Sequence, residues 1–429
     1  MLDGDMSLMQ STNPVGSRGD ARKDKASRLP AILHVGKFYP PHMGGIETHL
    51  HVLCGELRKV SDVRVLVASE DSSAKDDVFE DVPVFRARTI LNLASAPLCP
   101  GMTPRIRASG ADLVHLHLPN PSAILAYLAS GHSGPLIVTY HSDTIRQKLL
   151  GALFQPFLHA VLRRSSAIIV TSPIYLRTSP VLSSHRARCE VIPYGIRVAD
   201  FERPEPAAVE RLREEYGSRI ILSVGRLVYY KGFENLIQSM TKVRGRLLIV
   251  GDGPLRKRLE DMATSLGVSE RVVFLGEIQN KKLVPYYHVA DVFVLASVAR
   301  SEAFGIAQLE AMASGKPVVN TSLPSGVPFV SLDGITGITV PPANTEALAK
   351  AINLLLDDPS LRKQYGNAAR RRVQAEFNLE LMTRRTLQLY QRVMQFPNTA
   401  GFPPLVHSGN GMPSNLLPRA MEEDQYGQR

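Results

Sequence analysis

The sequence is poor in cysteine and has no long apolar segment, and both shortages narrow the class of protein. Its three cysteines, Cys54, Cys99 and Cys189, are far apart and lack CxxC spacing. We therefore expect packing residues, not a disulfide framework or a zinc site. No apolar run reaches the ~18 residues needed to cross a bilayer. The N-terminus, with Asp3 and Asp5 and no apolar core, is unlike a signal peptide, so we expect a cytoplasmic protein.

The chain also lacks the marks of a nucleic-acid-binding protein, although it is basic. Its formal net charge of +10 favours an anionic partner without identifying one. Zinc-finger spacing and aromatic RNA-binding signatures are missing from the sequence, and its lysines and arginines are dispersed. We therefore expect no nucleic-acid partner, which leaves phosphorylated small molecules and anionic lipid.

Short apolar segments alternate with longer helical patterns through most of the chain. Examples are "AILHVG", "PLIVTYH", "IILSVG" and "RLLIVG", each followed by a turn and a helical pattern. This alternation predicts an α/β protein with doubly wound parallel sheets covered on both faces. With 429 residues, 44% of them apolar and 21% charged, the chain has room for two such domains.

The strand series runs twice, and the break lies in a proline-rich stretch. Pro193, Pro204 and Pro206 interrupt the periodic pattern, and we place a linker around residues 195–205. The predicted parts of the chain are a disordered tail over 1–29, a Rossmann-like domain over 30–198, a second over 199–376, and another disordered tail over 397–429. Two such sheets in tandem present the carboxyl ends of their strands to one cleft.

Two motifs that follow predicted strands are suited to anions. In "GGIETH", Gly44 and Gly45 open a helix, where bare backbone lets an anion reach free N–H groups. The same pair would also suit a tight strand-to-helix turn. In "VGRLVYYKG", Arg226 and Lys231 precede a helix that opens near Phe233. Two cations there suggest a diphosphate, and a solvated basic loop is the alternative.

A further glycine pair does not support dinucleotide binding. "VGDGP" places Gly251 and Gly253 after a strand, but Arg256 stands where the third glycine of the dinucleotide fingerprint would fall. No acidic residue follows a second strand in the expected place, so we exclude NAD. Whether the glycines form a turn or contact a ligand stays open, since Pro254 suits a helix start.

The segment "SEAFGIAQLEAMASGKPVV" places two glutamates around a helix start. If the helix begins near Gly305, Glu302 lies ahead of it and Glu310 lies about 8 Å along its axis. A nucleotide sugar has the same order of parts. Glu302 suits the sugar hydroxyls, the Gly305 and Ile306 amides suit phosphate, and Glu310 suits the ribose diol. Apolar residues surround Glu310, so its carboxylate needs a partner.

Together, "GGIETH", "VGRLVYYKG", "VGDGP" and the segment with the two glutamates resemble the retaining glycosyltransferases of family four, which have the GT-B fold. The resemblance covers roughly residues 31–395. It implies an acceptor-side N-terminal domain, a nucleotide-sugar-binding C-terminal domain, and a last helix over 377–396 that crosses back to the N-terminal domain. The roles it implies are donor sugar for Glu302, ribose for Glu310, diphosphate for Arg226 and Lys231, and phosphates for Gly44 and Gly45.

The family also places a histidine after a strand of the N-terminal domain, which here is His141 in "IVTYHSD". Its imidazole would bond a sugar hydroxyl or polarise the reacting centre, and a histidine that caps the strand is the alternative. In "DLVHLH", we expect one of His115 and His117 to face the core and the other the cleft mouth, and His117 ranks below His141. The base is expected to be read by backbone near "FLGEIQNKKL".

The resemblance implies hexose transfer with retention of the anomeric configuration and without a cofactor or metal. Arg226, Lys231 and the helix start would stabilise the leaving diphosphate, and the sequence offers no convincing carboxylate cluster for a divalent cation. The C-terminal half is similar to mannosyltransferases of bacterial surface polysaccharides. This similarity favours GDP-mannose as donor over UDP-glucose or UDP-N-acetylglucosamine.

The acceptor and two other functions stay open at the level of sequence. "TIRQKLLGALFQPFLHAVLRRSSA" is basic and amphipathic, which favours peripheral contact with an anionic membrane and a lipid-linked acceptor. An ordinary helix packed on a sheet would show the same pattern. A nucleotide-sugar epimerase of the same fold and a non-catalytic nucleotide-sugar binding module are the alternative functions.

Overall fold

The chain folds around two parallel sheets, as the alternation of apolar and helical segments predicts. The structure, a computed structural model, describes residues 30–42, 44–71, 73–93, 96–143 and 148–396. The predicted tails over 1–29 and 397–429 lie outside these residues. Within the described parts of the chain, no helix has both the length and the hydropathy that crossing a membrane requires.

The first sheet has eight strands and belongs to the N-terminal half. The strands of this half are β1 Ala31–Val35, β2 Asp62–Ala68, β3 Lys75–Phe79, β4 Val82–Ala87, β5 Leu91–Leu93, β6 Ala96–Leu98, β7 Leu113–Leu118, β8 Leu136–Tyr140, β9 Ala167–Val170 and β10 Cys189–Val191. The order in the sheet is β10-β9-β8-β7-β1-β2-β4-β3, and only the β3–β4 pair is antiparallel. β5 and β6 form a separate hairpin. The strand order therefore reverses between β1 and β7.

The second sheet has six strands, all parallel, and belongs to the C-terminal half. Its strands are β11 Ile220–Val224, β12 Arg246–Val250, β13 Val272–Gly276, β14 Val292–Val294, β15 Val318–Thr321 and β16 Gly337–Val340. The order is β13-β12-β11-β14-β15-β16. The chain therefore winds outward in both directions from β11 and β14, as in a Rossmann-like sheet.

Helices cover both faces of each sheet. They are α1 Gly45–Leu57, α2 Met102–Ala108, α3 Pro121–Ser130, α4 Lys148–Arg164, α5 Pro173–Thr178, α6 Ala199–Glu202, α7 Pro206–Tyr216, α8 Phe233–Ser239, α9 Arg256–Ser265, α10 Asn280–Val289, α11 Ile306–Ala313, α12 Val327–Val330, α13 Thr345–Asp357, α14 Pro359–Glu376 and α15 Leu379–Gln395. Each sheet has one apolar cluster on either face. α8 begins at Phe233, as predicted.

The last helix, α15, follows the C-terminal half in sequence but packs on the first sheet. Leu389, Tyr390 and Val393 are buried in one cluster with Leu50 and Leu53 of α1. The position of α15 agrees with what the family resemblance implies for the last helix. The chain therefore passes between the two halves twice.

The two crossings run side by side. Ile196 N–H donates to Phe377 O at 2.9 Å, and Leu379 N–H donates to Ile196 O at 2.9 Å. A Cβ added at Gly195 would lie 2.4 Å from Asn378 O, so this approach needs glycine. Backbone hydrogen bonds thus join the two crossings, and the Gly195 N–H also donates to Met382 Sδ at 3.1 Å.

Candidate active site

The predicted motifs of both halves meet at the carboxyl ends of the sheets. "GGIETH" follows β1, while "VGRLVYYKG" and the segment ahead of α11 follow β11 and β14. These strands border the two points of order reversal, where doubly wound sheets bind ligands because the loops diverge. A Cβ added at Gly45 would lie 3.6 Å from Ile306 Cδ1, so the two motifs face each other across the cleft.

Helix α11 starts at a position that requires glycine. Gly305 has a φ of 78°, and a Cβ there would lie 2.6 Å from Leu295 Cδ2. No side chain caps α11, so its first N–H groups, beginning with that of Ile306, are available to an anion. The predicted helix start is confirmed, and the phosphate role of Gly305 and Ile306 stays a prediction.

Glu302 is buried ahead of α11 and paired with a lysine. Its Oε2 lies 2.5 Å from Lys231 Nζ, and the two side chains are 10% and 14% exposed. Ser297 Oγ–H donates to the same oxygen at 3.2 Å. Burial disfavours the ammonium of Lys231, but Glu302, Tyr230 and Glu310 nearby raise its pKa overall. Lys231 therefore stays charged between the two glutamates.

Glu310 has the partner that its apolar surroundings demand. The hydroxyl of Tyr287 donates to Glu310 Oε2. Burial raises the pKa of Glu310 to about 7, although the Tyr287 hydrogen bond and the charge of Lys231 act in the opposite direction. The carboxyl can therefore exchange a proton near neutral pH, and its second oxygen can accept from a ligand.

The N-terminal wall of the site carries a carboxylate, that of Glu47, which was not predicted from the sequence. Gly44 has an extended φ of 177°, and a Cβ there would lie 2.2 Å from Glu47 Oε2. The buried side chain of Glu47 thus occupies the space beside the glycine pair. An anion approaching Gly44 meets this carboxylate. The phosphate role of Gly44 and Gly45 stays a prediction.

The charge of Arg226, in the C-terminal half, acts on Lys37 of the N-terminal half. Burial lowers the pKa of Lys37, Glu47 acts in the opposite direction, and Arg226 lowers it further. Arg226 itself is exposed and forms no ion pair with any residue that the structure describes. Lys37 follows β1 as Arg226 follows β11, and that parallel could have found Lys37 from the sequence. Both charges are placed for an anionic ligand.

His141 lies just beyond β8, and both of its ring nitrogens are hydrogen-bonded. Its Nε2 lies 3.0 Å from His117 Nδ1, and its Nδ1 bonds the hydroxyl of Tyr194. Burial lowers the pKa of His141 well below its ordinary value, so the ring is neutral. The ring of Tyr194 lies 4.9 Å from that of Phe304, which connects His141 to the loop of Glu302.

The expectation for His115 and His117 is wrong. Both side chains are buried, at 0% and 1% exposure. They are two positions apart on β7, and side chains at this spacing point to the same face of a strand. Neither histidine can therefore line the cleft mouth while the other enters the core.

The glycines of "VGDGP" form a tight backbone crossing. A Cβ at Gly251 would lie 2.2 Å from Gly225 O, and a Cβ at Gly253 would lie 2.6 Å from Leu227 O. Both glycines also have positive φ. This close packing accounts for the pair without a ligand, and it holds the loop of Arg226 in place.

The site can therefore bind a molecule with a diphosphate between two hydroxyl-rich parts. Positive charge comes from Arg226, Lys231 and the start of α11, and hydrogen-bond acceptors come from Glu302 and Glu310. Tyr287 and Ser297, which orient the two carboxylates, were not predicted from the sequence. Tyr287 lies on a different helix from its partner Glu310, and Ser297 lies in the loop of its partner Glu302.

Family models match both halves of the chain. The model described as Glycosyltransferase Family 4 matches residues 43–200, and the one described as Glycosyl transferases group 1 matches residues 206–372. A sucrose-phosphate synthase from Thermosynechococcus elongatus has a similar structure, with a TM-score of 0.73 and 25% identity over 85% of this chain and 99% of that chain.

Three curated relatives match this chain over nearly all of their own length. The D-rhamnosyltransferase WbpZ of Pseudomonas aeruginosa is 34% identical over 81% of this chain and 92% of its own length. The O-antigen chain mannosyltransferase C of Escherichia coli is 30% identical, over 85% and 99%. A GDP-mannose-dependent alpha-(1-6)-phosphatidylinositol monomannoside mannosyltransferase of Mycolicibacterium smegmatis is 31% identical, over 79% and 92%. The chain therefore belongs to the family-four glycosyltransferases, with the GT-B fold.

Proposed function

We propose that the protein transfers a hexose, by preference mannose, from a nucleotide-diphosphate sugar to a glycan or lipid-linked acceptor of a cell-surface polysaccharide. The observation that carries this proposal is the start of α11. Glu302 lies ahead of it with Lys231 at 2.5 Å, Gly305 opens it, and Glu310 lies inside it. This order of groups matches sugar, diphosphate and ribose in a donor.

The names of the relatives support GDP-mannose as the donor. Two of them are mannosyltransferases, one named as GDP-mannose-dependent, and the third is a D-rhamnosyltransferase. D-Rhamnose is mannose without the hydroxyl on C6, so the two sugars have the same ring and the same ring hydroxyls. We therefore propose GDP-mannose as the donor, with GDP-D-rhamnose as the alternative donor.

The proposed transfer retains the configuration at the anomeric carbon. The bond from that carbon to the diphosphate breaks, and the acceptor oxygen bonds on the face that the diphosphate leaves. Negative charge grows on the diphosphate, where Arg226, Lys231 and the N–H groups of α11 stabilise it. These groups supply the charge that a divalent cation supplies elsewhere, so we infer that no metal or other cofactor is needed. Glu302 and His141 act on the sugar side.

Contact with an anionic membrane is a further part of this proposal. The last turns of α4 pack Val161 and Leu162 into the first sheet, as an ordinary helix would. Phe157 of the same helix is 45% exposed, and Arg163 and Arg164 at its end are exposed too. The first part of the predicted amphipathic segment, over 144–147, lies outside the described residues. An exposed ring and exposed basic residues on one helix support binding to anionic lipid.

The donor is tested by thermal unfolding of the purified protein in GDP-mannose, GDP-D-rhamnose, UDP-glucose and UDP-N-acetylglucosamine. A ligand that binds the folded state raises the melting temperature by mass action. We expect the largest rise with GDP-mannose. A rise only with a UDP-sugar would contradict the choice of donor, and no rise with any of them would contradict the function.

The reaction is tested by NMR of the products with a mannosylated acceptor. We expect a new α-linked mannose from the α-configured donor. Conversion of the donor without an acceptor, into a different nucleotide sugar, would instead indicate the epimerase. Donor binding without any turnover would indicate the binding module.

A further inference from the structure

Four histidines form one row on the face of the first sheet that α1 and α15 cover. His34 on β1 pairs in register with His115 on β7. His117 follows two positions later on the same face, in register with Thr139 of β8. His141 lies two positions beyond Thr139, again on that face. The four imidazoles therefore lie at adjacent strands, with Tyr390 of α15 beside His115 and with His49 of α1 beside His141.

Hydrogen bonds link this row, which we call the imidazole chain, from the cleft to α15. Its links are Tyr194 OH to His141 Nδ1, His141 Nε2 to His117 Nδ1 at 3.0 Å, His117 Nε2 to His34 Nδ1 at 3.0 Å, His34 Nε2 to Tyr390 OH at 3.4 Å, Tyr390 OH to His115 Nδ1 at 2.6 Å, and His115 Nε2 to Thr139 Oγ1 at 2.7 Å. Each ring uses both of its nitrogens. The chain is thus continuous from the cleft to α15.

The links can all form only if the four rings share one tautomer. A neutral imidazole has one N–H and one bare nitrogen, and each link needs one donor and one acceptor. If the Tyr194 hydroxyl donates, all four rings carry their proton on Nε2. If it accepts, all four carry it on Nδ1. The hydroxyls of Tyr194 and Thr139 at the two ends can serve in either sense.

The surroundings keep the four rings neutral. All four are buried, and burial lowers the pKa of each, that of His34 to about 3. Among the described residues, no carboxylate is hydrogen-bonded to any of them. His34, His115 and His117 also form a grouping that could hold a metal ion. The nitrogens of these three rings already take part in the hydrogen bonds of the imidazole chain. Those hydrogen bonds account for the closeness of the three rings without a metal ion.

We propose that His117, His34 and Tyr390 are positioning residues for His141, because the chain fixes the nitrogen on which His141 carries its proton. This proposal rests on the proposed function, in which His141 meets the donor sugar. The Tyr194 hydroxyl occupies the Nδ1 of His141, so a sugar hydroxyl that meets this ring takes the place of Tyr194. In one sense of the imidazole chain, Nδ1 accepts a hydrogen bond from that partner. In the other sense, Nδ1 donates one. Tyr390 on α15 thereby sets which hydrogen bond His141 can offer at the cleft.

The first test reads the tautomers in the full chain by NMR of the histidine ring nitrogens, assigned with single-histidine substitutions. We expect the four rings to carry their protons on the same nitrogen. Rings in mixed tautomers would overturn the proposal. Zinc added alone is expected to change neither the ring signals nor the melting temperature. Zinc bound at His34, His115 and His117 would overturn it as well.

The second test is Tyr390→Phe, which keeps the ring in the core and removes the hydroxyl that joins His34 to His115. We expect a kcat about tenfold lower, with nucleoside diphosphate binding unchanged and with His115 free to differ in tautomer from the other three. Tyr127→Phe, also in a buried position of the first domain, is the matched control and should keep the parent kcat.

The outcome separates this proposal from the function on which it rests. If Tyr390→Phe transfers sugar at the parent rate, the positioning role is wrong while the transferase function stands. If the parent protein transfers no sugar, the proposed function is wrong. The tautomers of the four histidines still show whether the imidazole chain is present. A variant that unfolds is replaced by His34→Gln, which breaks the same path one link nearer to His141.

Discussion

At the scale of single residues, substitutions of Glu302 and of Glu310 are expected to have different effects. Glu310→Gln should weaken free nucleoside diphosphate at least about tenfold, because ribose is present with or without the sugar and bonds to a charged acceptor contribute about 1.5–3 kcal/mol. Glu302→Gln should leave that binding nearly intact and lower kcat, because it acts beside the reacting sugar. Isothermal titration and steady-state rates measure the two effects. The opposite pattern would show that the donor lies in the reverse direction.

Glu310 also makes the stability of the protein depend on pH. Burial raises the pKa of its carboxyl from 4.5 to about 7. The folded protein thus holds this proton more tightly than the unfolded chain, so the stabilisation is full below pH 4.5 and is lost as the pH rises through about 7. Glu310→Gln does not ionise there. Its free energy of unfolding relative to the parent should rise by up to about 3 kcal/mol across this range.

Urea unfolding of both proteins at about pH 5 and about pH 8 measures the change. The difference between Glu310→Gln and the parent should be more favourable to the variant at the higher pH. An equal difference at both values would contradict the raised pKa.

The residues of the site were predictable where they share one segment. Glu302, Gly305 and Glu310 lie in a single stretch, so helix spacing alone ordered them along the proposed ligand. The pairings of Glu302 with Lys231 and of Glu310 with Tyr287 join residues more than twenty positions apart. No local pattern encodes such contacts, because the order of strands in the sheet decides them.

At the scale of elements, the central strands were predictable, and the strands of the two sheets that were missed lie at or next to an edge. β8 and β12 read as nearly continuous apolar runs because helices cover both of their faces. β3, "KDDVF", lies at an edge with mostly polar side chains, and its antiparallel partner β4 was missed with it. The short strands β10 and β16 are also at edges. A strand with one face or one side in solvent can fold without a continuous apolar pattern, although edge strand β13, "VVFLG", keeps one.

The joined crossings between the two halves give a prediction at this scale. Gly195→Ala would place a Cβ 2.4 Å from Asn378 O, so backbone must shift where the two crossings pair. We expect a loss of about 1–3 kcal/mol in the free energy of unfolding. Gly55→Ala within α1 meets no atom within 4 Å and should be neutral or stabilising, by about 0.5–1 kcal/mol. Denaturant unfolding compares the two, and equal stabilities would contradict the close approach.

At the scale of the whole molecule, one arginine joins the two halves beside the site. Arg300 Nη2 lies 2.8 Å from Asp143 Oδ2 of the other half, and Nη1–H donates to Thr178 O at 3.0 Å. Its guanidinium also lies 5.3 Å from the centre of the Tyr175 ring. Arg300 is two residues ahead of Glu302, so one contact between the halves and the sugar-side carboxylate lie on the same loop.

We expect the cleft to close around the donor, with the bend in the two crossings, because donor groups come from both halves. Small-angle scattering should show a smaller radius of gyration with nucleoside diphosphate sugar than without it. Arg300→Gln should enlarge the ligand-free radius and weaken donor binding several-fold, because part of the binding free energy then goes into closure. Arg211→Gln, at an exposed position on α7, should match the parent in both. If Arg300→Gln also matched the parent, the ion pair with Asp143 would not contribute to closure, and an unchanged radius in the parent would mean that the halves do not move.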